Sequence, residues 1–151
     1  MKKLIFILFF QFLFSQTIPV EIDLEESFIS YDGKHPAHNW TGISKEINGS
    51  FIFDKDQPIL SKVDLYVPVF SFDSKNSNRD SNMLDVIEEY FYPSVGFISS
   101  SIIKKEDKYY INGMIFFHGI KKEVNLPVDF IVNNDMIIAV SYTHLTLPTK
   151  A

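Results

Sequence analysis

Four histidines are the residues of this 151-residue chain best suited to bind a metal or move a proton. His35 and His38 stand three apart in His35-Pro36-Ala37-His38, a spacing at which two imidazoles can share one ion. Folding could add His118 as a third ligand. The opposing reading is a loop stiffened by Pro36, whose histidines hydrogen-bond locally. His118 follows Phe116-Phe117 at a strand end, where a packed, hydrogen-bonded histidine is the ordinary outcome. His144 lies in the C-terminal tail. Serines are plentiful, but no Gly-x-Ser-x-Gly elbow raises one as a nucleophile. No Gly-rich loop could cradle a phosphate. There is no cysteine, which excludes disulfides, thiolate metal sites and a thiol nucleophile. Glu88-Glu89 and Asp54-x-Asp56 read as a solvated helix face and a turn. The stretch after Asp73 lacks the Gly and the closing Glu of a calcium loop. The motifs therefore assign no catalytic residues, no metal site and no cofactor.

Aromatic side chains are what remains. Phe51, Phe53, Phe97, Phe117 and Phe130 fall in candidate strands, with Leu65, Val67, Val69 and Ile115 between them. These nine are the candidate lumen residues. A small β-barrel has room inside for packed side chains or for one modest ligand. A wall of Phe and Val offers no groups for chemistry. It can shelter an alkyl or isoprenoid tail, at about 0.8 kcal/mol per buried CH₂.

The elements that would carry these residues are mostly strands. Ser27 to Tyr31 is a short one, closed by a turn at Asp32-Gly33. Thr41 to Ile47 and Ser50 to Phe53 predict a hairpin through Asn48-Gly49. Lys62 to Phe72 is apolar on both faces, with Val63, Leu65, Val67 and Val69 on one and Tyr66, Phe70 and Phe72 on the other. That pattern predicts burial on both sides. A polar stretch leads into a helix over about 80–91, whose stripe is Met83, Leu84, Ile87 and Phe91 and whose stop is Pro93. Val95 to Ile103, Tyr109 to Phe117 and Lys122 to Val132 complete the series, with Gly119, Lys121 and Lys122 turning the chain before the last. There Val124, Leu126, Val128, Phe130 and Val132 alternate with polar residues, the period of a strand with one wet face. Many evenly spaced strands and a single helix predict a mainly β, antiparallel lipocalin-like barrel with the helix covering one end.

The N-terminus carries an address. Lys2 and Lys3 precede an apolar run from Leu4 to Phe14, and Ser15 is a small residue before Gln16. This is the layout of a secretory signal peptide over residues 1–15. The run falls short of the about 20 apolar residues that a membrane span needs. Its removal would take Lys2 and Lys3 with it, moving the net charge from −5 to −7. An acidic chain repels phosphate backbones, so nucleic acid is not an expected partner. The expectation is a periplasmic or secreted protein with no stable membrane span after cleavage.

Four stretches in order resemble one family. They are His35-Pro-Ala-His38-Asn-Trp40-Thr-Gly42; Phe72-Asp73-Ser74 with Asn76-Ser-Asn78-Arg79-Asp80 and Met83; Tyr92-Pro93 leading to Phe97-Ile-Ser99-Ser100; and Ile111-Asn-Gly113 with Phe117-His118-Gly119-Ile120-Lys121. Their spacing, over about Ser27 to Val132, is similar to that of the YceI-like family of exported, lipocalin-like barrels. The resemblance implies an eight-stranded antiparallel barrel with a long lumen. It implies an amphiphilic ligand such as a polyisoprenoid, a quinone-like lipid or a fatty amide, and no shared catalytic apparatus. Arg79 and Asp80 match a family motif at the helix start, where an ion pair or cap would hold the helix over the barrel.

On this reading residues 16–142 form the barrel domain and 143–151 an atypical, non-native tail. Met136 to Tyr142 begins a strand pair that family members complete, so the barrel is expected to be incomplete at its C-terminal end. A second copy, as in a homodimer, is one source of the missing strand. Two other functions fit the same residues: a metal-dependent enzyme using His35, His38 and His118, and a stress-related scaffold without a ligand.

Overall fold

The computed structural model describes residues 17–54, 59–133 and 136–143. The expected export signal, Asp56, His144 and most of the expected tail lie outside the described residues. Nine strands and one α-helix follow in order: β1 (Thr17–Val20), β2 (Ile29–His35), β3 (His38–Ser44), β4 (Asn48–Asp54), β5 (Ile59–Pro68), α1 (Ser77–Val86), β6 (Ser94–Lys105), β7 (Lys108–Phe117), β8 (Ile120–Asn133) and β9 (Met136–Ser141). Seven of them form one antiparallel sheet in the order β1-β4-β5-β6-β7-β8-β9, and β2 and β3 form a separate ribbon. The large sheet curls into a half-barrel.

Alternation along the strands decides which side chains share a face, since successive residues point to opposite sides. Leu65 pairs with Phe97 and Phe97 with Ile115, so one face collects the apolar phase of each strand. Val63, Phe97, Ile111, Ile115 and Val128 are buried there as a floor. Burial of each contributes about 1.5–3 kcal/mol. Around the floor, Phe51, Leu65, Ile102, Phe117, Val124, Leu126 and Phe130 are half-buried. The register shifts between Ser99 and Ser101, which puts Ile102 back in phase with Ile111. The β5–β6 ladder stops at Asp64, and the Ser99 hydroxyl accepts from the Val63 N–H at 2.8 Å. The backbone donor left over by the curl is thereby satisfied.

A second cluster closes one end. Ile47, Val67 and Phe72 are buried there, with Ile29, Tyr31, Met83 and Val95 packed on them. Helix α1 covers this end through Met83. The ribbon is tied to the same end by paired backbone bonds between Ile43 and Asp73, at 3.1 and 2.9 Å. Buried Ser44 adds a 2.6 Å contact to the Ser71 hydroxyl, which donates to the Pro68 carbonyl.

Several local expectations are corrected. Asn48-Gly49 is not a hairpin turn. Gly49 lies inside β4 with φ 147°, its Cα close against the β5 backbone, and β4 pairs with β1 and β5 rather than with β3. A side chain could not enter that close approach, so the glycine serves contact, not reversal. Asp32-Gly33 lies inside β2, and the chain reverses at Pro36-Ala37. β5 ends at Pro68, leaving Val69 in a 3₁₀ turn (Val69–Ser71). Tyr66 and Phe70 are 51% and 60% exposed, so this segment is covered on one face only. The helix starts three residues early because Asn76 caps it, its side chain accepting from the Arg79 N–H at 3.1 Å. It stops before Phe91 because Glu88 turns left-handed, at φ 51°. The turn before β8 is His118-Gly119, at φ 48° and 72°, and both lysines belong to the strand.

Candidate functional site

Eight of the nine candidate lumen residues lie on strands of the half-barrel. Phe51, Leu65, Phe97, Ile115, Phe117 and Phe130 all belong to or pack on the floor cluster. Phe53 follows Phe51 by two on β4 and shares its face, half-buried beside β1. Val67 is 0% exposed beneath Ile47 and Phe72, and Val69 is buried in the 3₁₀ turn. These two seal the helix-covered end rather than line an open surface. The concave side thus has a dry floor and a half-exposed apolar rim. A surface of this kind can cover an apolar chain.

The glycines of this region shape the walls. A Cβ at Gly113 would lie 2.6 Å from the Phe97 ring and 2.5 Å from the Ile98 carbonyl oxygen. The bare backbone lets Phe97 lie flat along the floor. On the ribbon, the Tyr31 ring covers Gly42 and the Trp40 ring covers Gly33, each across the strand pair.

The start of α1 is held by a polar knot. Asp80 accepts from the Ser74 hydroxyl at 2.5 Å and from the Ser74 N–H at 3.2 and 3.3 Å. Arg79 Nη1 donates to the Ser74 carbonyl and hydroxyl at 3.1 and 3.2 Å, and its guanidinium stacks 4.9 Å from the Trp40 ring centre. Arg79 and Asp80 therefore grip Ser74 from both sides instead of pairing with each other. Tyr31 packs edge-on against Phe72, with ring centres 5.6 Å apart. Burial pushes its phenol above the ordinary 10.0, opposed by the nearby Trp40 indole, while Asp80 adds to the rise and Arg79 opposes it. Tyr31 Oη and Trp40 Nε1 are buried without a partner of hydrogen-bond geometry among the described residues.

The histidines do not converge. His35 and His38 pair across the tip of the ribbon, ring centres 5.3 Å apart, and His35 Nδ1 accepts from the Ala37 N–H at 3.3 Å. His118 Nε2 instead meets Glu88 Oε2 at 2.9 Å, and its ring meets Tyr92 edge-on with centres 4.8 Å apart. Among the described residues no three His, Cys, Asp or Glu side chains gather as a metal site. No helix among them is long and apolar enough to cross a membrane.

One residue of the concave face lies outside the nine lumen candidates. Lys122 pairs with Ile115, so it stands on the concave face. The signal was its phase: it occupies the same alternation as Val124, Leu126 and Val128.

The YceI-like domain model matches residues 21–149. The chain belongs to the YceI-like family. Protein YceI of Escherichia coli is 27% identical to this YceI-like chain over 143 residues, covering 89% of it and 75% of the relative. A UPF0312 protein of Photorhabdus laumondii is 29% identical over 115 residues, 73% of this chain, and the match spans only 59% of that protein. In structure, BcnA of Burkholderia cenocepacia superposes with a TM-score of 0.72 at 22% identity, over 80% of this chain and 78% of its own. The YceI protein of Campylobacter jejuni gives 0.57 at 21% identity, over 74% and 67%. At these identities the structural likeness speaks for the YceI-like fold.

Proposed function

We propose that this YceI-like protein is an exported binding protein that shelters an amphiphilic or isoprenoid-type lipid on the concave face of its barrel. The observation that carries the reading is the half-exposed apolar rim of Phe51, Leu65, Phe117, Val124, Leu126 and Phe130 around a buried floor. Such a rim is costly to leave in water, at about 25 cal/mol per Å², and an extended apolar chain is the kind of molecule that covers it. Export to the periplasm or beyond is supported by the Lys2–Ser15 pattern and suits a carrier that moves a water-insoluble molecule between membranes. The protein's role is to bind and hold, with no resident cofactor and no catalytic step. Organic extraction of the protein purified from its periplasmic fraction, followed by mass spectrometry, tests this. The expected result is a lipid in near-stoichiometric amount. Extracts matching those of an unrelated periplasmic protein, together with no binding of isoprenoid alcohols by the purified chain, would refute it.

A further inference from the structure

Strands β6 to β9 present an apolar concave face interrupted by two charges, both positive. By register these are Lys104, opposite Tyr109, and Lys122, opposite Ile115. No carboxylate of β6 to β9 shares that face: Glu123 pairs with Met114 and Asp129 with Val140, both on the other side. The two lysines differ. The Lys104 ammonium lies 5.4 Å from the centre of the Tyr109 ring, at the far end of the sheet from α1. Lys122 is exposed and, among the described residues, has no ion pair, hydrogen bond or ring contact. A cation without a counter-charge, seated in the apolar phase of a strand, is an arrangement that positive design for solubility does not need. The next pair along the face, Phe117 and Ile120, also lines a cleft of about 240 Å³ beside His118 and Tyr92.

We propose that Lys122 binds the anionic head of the ligand, a phosphate or carboxylate, while the tail runs along the floor past Ile115 and Val124. This rests on the lipid-binding reading above and narrows its ligand from amphiphiles in general to anionic ones. The lysine stem can lie on the apolar face and leave the ammonium at the water boundary, where an acidic head also prefers to stay. A partly exposed ion pair of this kind is worth up to about 1 kcal/mol, or about fivefold in affinity.

Displacement of the neutral dye Nile red by farnesol, farnesoate and farnesyl phosphate separates tail from head. The full-length protein is expected to bind both anions about fivefold more tightly than the alcohol, with the preference shrinking as salt is added. In Lys122→Gln the preference should fall to about one with farnesol binding unchanged. It should persist in Lys122→Arg, and in Lys105→Gln, which removes the same charge from the outer face. A preference limited to farnesyl phosphate or to farnesoate would name which head is held. Equal binding of alcohol and anions by the natural protein, or a preference that survives Lys122→Gln, overturns the proposal and leaves lipid binding standing. Failure of all three to bind overturns both.

Discussion

Asp80→Ala tests the reasoning about the knot at the start of α1. The carboxylate is the acceptor for two donors of Ser74, a residue only 6% exposed, at 2.5 Å from the hydroxyl and 3.2 Å from the amide. A hydrogen bond to a charged group is worth about 1.5–3 kcal/mol, and a buried donor left unmade costs a similar amount. Removal also strips a negative charge from the first turn of the helix, worth about 0.3–1 kcal/mol. The hydroxyl keeps Arg79 Nη1 as a donor to it but loses the acceptor for its own proton. Since these effects share one group and do not add fully, the expected loss is about 3 kcal/mol, or about 10 °C in Tm. Asp80→Asn retains an oxygen acceptor and should lose about half as much. Urea titration followed by far-UV circular dichroism measures both. Trp40, the chain's one tryptophan, lies under Arg79 and gives a local reading of the same site. Its emission should shift to the red in Asp80→Ala before the sheet unfolds. A loss under about 1 kcal/mol, with unaltered Trp40 emission, would show that Ser74 finds other partners and that the knot does not hold the helix.

Three further outcomes follow from the same geometry. Gly113→Ala should cost about 1–3 kcal/mol in a urea titration, because its methyl meets both the Phe97 ring and the Ile98 carbonyl; adding Phe97→Leu should recover only the part owed to the ring. Phe97→Ala should cost about 3–5 kcal/mol by opening a cavity in the floor, and bound farnesol should slow that protein's unfolding more than it slows the natural one's. Burial raises the Tyr31 phenol, so the folded state holds its proton at a pH where the unfolded chain has released it. Stability from this group is complete below the ordinary value of 10.0 and is lost as pH rises through the raised one. Tyr31→Phe should therefore flatten the fall in stability above about pH 10, and equal slopes in the two proteins would contradict the assignment.

Much of the architecture was legible along the chain. A period of two over residues 122–132 placed β8 and its inward face, because a strand with one dry side must alternate. The apolar phases of β4 to β8 likewise named eight of the nine lumen candidates on the sheet. The helix was found by its stripe, but its ends were not. The cap is a side-chain bond from Asn76 and the stop is a left-handed residue, Glu88, neither of which periodicity records. Lys122 is legible from its phase, which is that of Val124 and Leu126, although the Gly119 turn lies only three residues before it.

What could not be read locally is which strand meets which. Asn48-Gly49 has the chemistry of a hairpin turn, yet Ile47 is drawn into the cluster with Val67 and Phe72 and the chain runs on into β4 beside β5. Asp32-Gly33 looks like a turn, yet the glycine is there to make room for the Trp40 ring across the ribbon. In both cases a glycine answers either to turning or to close approach, and only the neighbour brought up by the fold decides which. The same holds for the charge on the concave face. Composition and alternation determined an apolar interior built of Phe and Val. Tertiary pairing determined that Lys122 stands on it opposite Ile115, because register, not sequence distance, fixes which side chains look at one another.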